Sequence, residues 1–286
     1  MVAKAPTLAA DEIFFDLEDS VAPDRKDEAR ANVVEVLRRA DFGDRGVGVR
    51  INGLGTPWWE ADVTEVVGAG GRLDFVTLPK VEEPADVVAV GRALLEAESA
   101  RAASAPVGIQ VLIESALALT NVDPIARASG RLQALIFGPA DMADSLGMPA
   151  LSAGRLMPDY PGDHFHFAMS RILVAARAAA LQAIDGPHLA IADLEGCRRG
   201  ALRARALGYD GKWVVHPSQI DVVNEAFTPA REEYDRAVEI LSVYERATRE
   251  GRGAVRFGDE MIDEASRKMA ARLVARGRAA WGEPAT

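Results

Sequence analysis

Residues 134–145 read Ala-Leu-Ile-Phe-Gly-Pro-Ala-Asp-Met-Ala-Asp-Ser. Ala134 to Phe137 carry no charge, as a strand covered on both faces by helices requires. Gly138 and Pro139 stop the run, and Asp141 follows at the C-terminal mouth of the strand. In parallel α/β folds that mouth is where chemistry sits. One strand earlier, Gly108 to Ile113 is apolar except for Gln110 and runs straight into Glu114. Two carboxylates at the ends of successive buried strands repel one another unless a cation lies between them. Oxygen ligands without Cys or His favour a hard ion, Mg²⁺ first and Mn²⁺ second. The alternative is that Glu114 and Asp141 cap the helices that follow.

Working outward, the same alternation recurs. Asp11 to Asp19 holds a short apolar strand that ends in three carboxylates, Asp16, Glu18 and Asp19. Pro23 and Asp24 open an amphipathic helix to about Ala40, with Asp24 as its expected N-cap. Val47 to Asn52 is a strand carrying Arg50. Leu73 to Leu78 is another, closed by Pro79-Lys80. A helix covers 85–103. The Gly/Pro-rich stretch from Met148 to Asp163 is expected to be an ordered excursion near the site. Phe165 to Leu181 has helical spacing, Ala183 to Pro187 is a strand end, and Asp193 caps a helix through Leu207. Gly211 to Pro217 is the last strand. From Ser218 onward the chain is helical and charged, with Thr228-Pro229 as a cap and a proline at the first helical position. Strand and helix alternate throughout, which argues for a parallel sheet. A chain of this length can hold an α/β barrel as one domain, here over 1–227, followed by a charged helical stretch over 228–286.

Composition narrows the function. The chain has 286 residues, and 49% of them are hydrophobic, enough for a large core. Its net charge of −10 argues against a nucleic-acid surface. No apolar run approaches the roughly 20 residues of a membrane span, and the N-terminus lacks a signal-peptide pattern. The lone Cys197 forms no internal disulfide and fits a reducing, cytoplasmic setting. His164 and His166 are two apart and share no helical face; His216 ends a strand and is expected to hydrogen-bond locally.

Seven motifs occur in one order: Asp-Leu-Glu-Asp-Ser-Val-Ala-Pro (16–23), Val-Arg-Ile-Asn (49–52), Leu-Pro-Lys-Val (78–81), Ile-Glu-Ser (113–115), Gly-Pro-Ala-Asp (138–141), Ala-Ile-Asp-Gly-Pro (183–187) and His-Pro-Ser-Gln-Ile (216–220). Together they resemble the citrate lyase β-subunit-like and malyl-CoA lyase proteins of the HpcH/HpaI aldolase superfamily. The resemblance implies a Mg²⁺-dependent carbon–carbon lyase acting on a CoA ester such as malyl-CoA. The products would be acetyl-CoA and a glyoxylate-like oxo acid. It also implies a TIM (β/α)₈-type barrel with a C-terminal helical extension, assembled as a homo-oligomer, a trimer or a hexamer.

By the same resemblance, Glu114 and Asp141 hold the metal and Arg50 binds the oxo acid. Gly138, Pro139 and Ala140 offer backbone groups to that product. Glu18 and Asp19 accept hydrogen bonds from metal-bound water, and Lys80 belongs to the same layer or is a solvated charge at a strand end. Lys26 and Arg25 contact CoA phosphates; an ordinary solvated first helical turn is the alternative. A C-terminal aspartate, often supplied by a neighbouring subunit, moves the proton at the thioester α-carbon. Met261-Ile262-Asp263 matches the family there, so the role falls to Asp263, with Asp259 as competitor and an ordinary acid at the start of the last helix as the alternative. Related hydroxy-acid aldolases use a His near their first strand, and no His precedes residue 164 here.

Three other functions stay open: a malyl-CoA thioesterase, a citrate lyase β subunit acting on an acyl-carrier-protein thioester, and a non-catalytic paralogue that binds CoA esters. Family members normally begin with a further strand before Asp-Leu-Glu-Asp. Only seven strands are legible here. The expectation is therefore a barrel lacking its first strand, from a chain that naturally starts upstream of Met1.

Overall fold

The computed structural model describes residues 2–101, 105–149, 160 and 162–282. The chain forms two compact units, Met1–Val223 and Asn224–Thr286. In the first, β1 (Glu12–Asp16) leads into α1 (Lys26–Arg39), β2 (Gly46–Arg50), α2 (Trp59–Gly68), β3 (Phe75–Leu78) and α3 (Pro84–Arg101). Then come β4 (Gly108–Ile113), the short helices α4 (Ala116–Thr120) and α5 (Val122–Ala126), β5 (Leu132–Phe137) and α6 (Pro139–Ser145). The unit is completed by α7 (His166–Ala178), β6 (Gln182–Asp185), α8 (Leu194–Leu207) and β7 (Gly211–Lys212). Helix α9 (Ile220–Phe227) runs across the division between the units.

The seven strands lie in chain order and every pair is parallel. All six residues of β4 and all four of β3 are buried, which explains their nearly unbroken apolar sequence. Laid flat, seven strands about 4.8 Å apart would hold β1 and β7 about 29 Å from each other. Instead Phe14 of β1 stacks on Trp213, next to β7, with ring centroids 4.3 Å apart. The sheet is therefore curled into a barrel. Glu12 of β1 also accepts a hydrogen bond from Gln110 of β4, 3.1 Å away. Among the described residues no eighth strand joins β1 to β7.

Helix ends depart from the sequence reading in two places. Asp24 does not cap α1: it lies inside a 3₁₀ turn, Pro23–Arg25, and Arg25 takes the N-cap position without a side-chain bond. Thr228 does not cap the next helix either. Its hydroxyl donates to the Asn224 carbonyl at 2.8 Å and so belongs to the end of α9. Asp193 does cap α8, accepting from the Gly196 amide at 2.9 Å. The last strand is shorter than Gly211 to Pro217, and the Met148–Asp163 excursion falls largely outside the described residues.

A buried polar knot ties β2 to the helices over it. Arg30 of α1 donates to Asp62 of α2 at 2.9 Å. The other Asp62 oxygen accepts both the Asn52 amide, at 2.9 Å, and the Asn52 side chain, at 2.6 Å. The guanidinium and the carboxylate thus offset each other's burial, which would be costly for either charge alone, while Arg30 Nη2 is buried without a hydrogen-bond partner.

The second unit holds α10 (Arg231–Arg249), the antiparallel hairpin of β8 (Val255–Phe257) and β9 (Glu260–Ile262), and α11 (Glu264–Trp281). Tyr234, Ala237, Ala270 and Val274 form its apolar cluster. No helix among the described residues is long and apolar enough to cross a membrane.

Candidate active site

The C-terminal ends of β1 to β5 deliver one polar cluster. In the parallel register Asp16 lies opposite Arg50. The Asp16 carboxylate accepts from Arg50 Nε and Nη2, both at 2.7 Å. Glu18 pairs with Arg50 Nη1 at 3.0 Å and with Lys80 Nζ at 3.0 Å. Lys80 Nζ also lies 3.4 Å from Asp19. This bidentate fork plus one further pair engages three of the five Arg50 N–H groups and leaves one on each terminal nitrogen.

Glu114 sits behind that layer, 5% exposed. One of its oxygens accepts the Lys80 backbone N–H at 2.7 Å. To make that bond Lys80 adopts φ +54°, a left-handed conformation rare for a side-chain-bearing residue. Such strain persists only where surrounding contacts hold it. Gly138 makes the other close approach: a Cβ there would overlap the Glu114 side chain. Glycine is therefore required for the β5 end to pack against β4.

Neither Glu114 nor Asp141 caps a helix. Ser115 caps α4, accepting the Ala118 amide at 3.0 Å. Gly138 is the N-cap of α6 and provides no side-chain bond, while Asp141 lies in that helix's first turn. With the capping explanation removed, Asp141 is left near enough for its charge to bear on the Glu114 carboxyl. Burial, then the charges of Asp141 and Glu18, push Glu114 up to about 7. Burial likewise raises Glu18, against the pull of Arg50 and Lys80. Asp16 goes the other way, because the Arg50 fork outweighs its burial. Arg50 and Lys80 are held above their ordinary values by these acids, although burial opposes it.

Five carboxylates thus share the mouth with two cations. Among the described residues no group of three or more His, Cys, Asp and Glu forms a metal cage. A pair of carboxylates is nevertheless the usual protein share for Mg²⁺, which keeps waters or substrate oxygens for its remaining positions. The second Glu114 oxygen and the Asp141 carboxylate carry no hydrogen bond among the described residues, so the donor set fits a hard dication.

One expected residue sits differently from the solvated turn weighed for it. Lys26 is not in a solvated turn: it is 5% exposed, and its ammonium donates to the carbonyls of Leu17 at 2.7 Å and Glu18 at 2.8 Å. It also lies 5.3 Å from the Trp58 ring centroid. Arg25 is exposed and paired with Glu28 at 2.6 Å. Lys26, Trp58, Thr56, Asn52, Lys80 and Glu18 line a cleft of about 330 Å³. Asp263, in the second unit, is the N-cap of α11 and accepts the Ser266 amide at 3.1 Å, which lowers its carboxyl. Asp259 lies between β8 and β9. His216 bonds locally, to Ser218 at 2.8 Å, and Cys197 is fully buried.

Two participants escape the sequence reading. Asp16, grouped there only with its acidic neighbours, is the main clamp on Arg50. Trp213 lies 6.0 Å from the Arg50 guanidinium. Alternation along β1 places Phe14 and Asp16 on one face, but only the register and the curl show what each meets.

The HpcH/HpaI aldolase/citrate lyase family pattern matches residues 1–217. The L-malyl-CoA/beta-methylmalyl-CoA lyase of Cereibacter sphaeroides is 41% identical over 281 residues, spanning 95% of this chain and 88% of that protein. A citrate lyase from Burkholderia xenovorans LB400 superposes with a TM-score of 0.82 at 26% identity, over 96% of this chain and 85% of the other. CitE from Mycobacterium tuberculosis, solved in complex with magnesium, acetoacetate and coenzyme A, superposes with a TM-score of 0.77 at 32% identity, over 96% and 92%. A curled parallel sheet ending in this acid–arginine cluster, together with similarity along most of its length, makes the chain a member of the HpcH/HpaI aldolase/citrate lyase family.

Proposed function

We propose that the protein is a Mg²⁺-dependent CoA ester lyase that cleaves a 3-hydroxyacyl-CoA such as malyl-CoA reversibly into acetyl-CoA and glyoxylate. The observation that carries this reading is the pair Glu114 and Asp141 at one strand mouth, where Lys80 N–H engages only one Glu114 oxygen, beside an Arg50 whose charge is fixed. The 41% identity to a malyl-CoA lyase supports the choice of substrate.

In the cleavage direction the substrate hydroxyl gives up its proton and becomes the glyoxylate aldehyde. The carbon–carbon bond breaks, its electron pair passes to the thioester α-carbon, and that carbon takes up a proton. Glu114 and Asp141 would hold Mg²⁺, which supplies Lewis-acid stabilisation of oxygen charge when bound. Arg50 binds the oxo-acid carboxylate through its two remaining N–H groups, and its orientation is set beforehand by Asp16 and Glu18. Lys80 keeps Glu18 turned toward that arginine and presents its own N–H to Glu114. The cleft beside Lys80 and Trp58 gives the thioester arm its place. Asp263 supplies the proton at the α-carbon, from a neighbouring subunit of a trimer or hexamer in the cytoplasm.

Excess chelator is expected to abolish malyl-CoA cleavage, and Mg²⁺ or Mn²⁺ to restore it. Full activity in chelator overturns the reading. Asp263→Asn is expected to lower kcat about 10²–10⁴-fold, the usual weight of a proton-transfer group, with Mg²⁺ binding unchanged. Asparagine still caps α11, so folding does not confound this test. A loss seen with Asp259→Asn and not with Asp263→Asn transfers the role to Asp259.

A further inference from the structure

Two motifs distinct in the sequence, Ala-Ile-Asp-Gly-Pro (183–187) and His-Pro-Ser-Gln-Ile (216–220), contribute no reacting group to the site above. They meet at the ends of β6 and β7. Asp185 and Lys212 are paired in register, and their side chains are 2% and 4% exposed. Lys212 Nζ donates to the Asp185 carboxylate at 2.6 Å and also to the Gly186 carbonyl. The Trp213 amide donates to the Asp185 carbonyl at 2.9 Å. A buried ammonium with a single carboxylate is weak evidence for stability, because desolvation offsets the attraction. What it does fix is the position of Gly186.

Gly186 has no room for a side chain. A Cβ there would overlap the Phe137 carbonyl oxygen and the Pro139 ring. The Gly186 backbone is therefore packed directly on the first residue of α6, two residues before Asp141. The preceding residue, Gly138, is in turn packed on Glu114. A continuous line of close contacts runs from Lys212 through Gly186 to the turn that carries one proposed metal ligand and abuts the other.

The second motif braces the same loop from its far side. His216 accepts the Ser218 amide at 3.2 Å and starts the 3₁₀ turn Pro217–Gln219. That turn delivers Gln219, which is fully buried. Gln219 donates to the His188 carbonyl at 2.8 Å and accepts the Val215 amide at 3.1 Å. The loop after β6 is thus held by Lys212 at Gly186 and by Gln219 at His188.

We propose that Lys212, supported by Gln219, is a positioning residue for the metal site: it presses Gly186 against Pro139 and so sets the placement of Asp141 relative to Glu114. This rests on the reading of Glu114 and Asp141 as Mg²⁺ ligands. Groups that orient metal ligands typically change affinity about 10–100-fold when removed.

The test is a calorimetric Mg²⁺ titration of the full chain without thioester, alongside kcat and KM for malyl-CoA. Lys212→Met is expected to weaken Mg²⁺ binding by about tenfold or more and to lower kcat, with KM for malyl-CoA nearly unchanged. Leu94→Ala, a core truncation in α3, is expected to lower thermal stability without moving the Mg²⁺ affinity. If Lys212→Met does not fold, Gln219→Met gives the decisive comparison, with the same expected direction. A folded variant that binds Mg²⁺ like the wild type overturns the inference alone. A wild-type chain that binds Mg²⁺ but leaves malyl-CoA intact overturns the lyase reading, while the variant affinities still decide this one. A wild type that binds no Mg²⁺ overturns both.

Discussion

Glu114→Gln is expected to abolish turnover and, in the absence of metal, to make the protein more stable than the wild type at pH 8. Both effects come from one buried carboxyl. Burial, with Asp141 and Glu18 nearby, raises it from the usual 4.5 to about 7. The folded chain then keeps a proton that the unfolded chain has already released. The contribution of Glu114 to stability is intact below about pH 4.5 and is lost as the pH rises through about 7. The full interval is worth about 3 kcal/mol. Glutamine can still accept the Lys80 N–H but never ionises. Urea unfolding in chelator should therefore give equal stabilities near pH 4 and a clear advantage for the variant at pH 8. Glu18 and Asp16 titrate in both proteins and largely cancel from the difference. Saturating Mg²⁺ should reverse the order, because only the wild type gains binding free energy. Loss of several kcal/mol of charge stabilisation at the metal corresponds to a fall in kcat of about 10³-fold or more. A stability difference independent of pH, or a variant that turns over normally, contradicts this assignment.

Arg50→Met is the second large effect. It removes the shared partner of Asp16 and Glu18 and so leaves two partly buried acids facing each other. Breaking a buried pair on one side typically costs 3–5 kcal/mol, and about 3 kcal/mol is expected here because Arg50 keeps some solvent contact. Turnover should fall about 10²–10³-fold, the range for losing one preorganised donor to a developing charge. The double variant Asp16→Asn/Arg50→Met separates the two losses. Neutralising Asp16 should recover much of the stability and none of the activity. Activity within tenfold of wild type in Arg50→Met removes Arg50 from the oxo-acid site.

Strand ends made much of this site legible in the sequence. Apolar runs stopped by Glu114 and by Gly138-Pro139 placed the two carboxylates at one mouth, since side chains at the ends of parallel strands share one end of the sheet. Whether they merely cap helices is a question of which neighbour takes the amides. Ser115 and Gly138 answer it only in three dimensions. The Asp16–Arg50 clamp depends on register, which no local pattern in these short strands sets. The sequence leaves Lys26 between a contact for CoA phosphates and a solvated helical turn, because nothing local shows that the Pro23–Arg25 turn postpones α1 and points its first residue inward to the Leu17 and Glu18 carbonyls. The Phe14–Trp213 stack joins residues about 200 positions apart through the curl of the whole sheet.

Simultaneous detection of glyoxylate, free thiol and malate from malyl-CoA, with Mg²⁺ present, tests the central claim most directly. The lyase account predicts glyoxylate and acetyl-CoA in equal amounts, with neither free CoA nor malate, and no products from Glu114→Gln. Free thiol and malate in place of glyoxylate would contradict it and identify a thioesterase using the same residues.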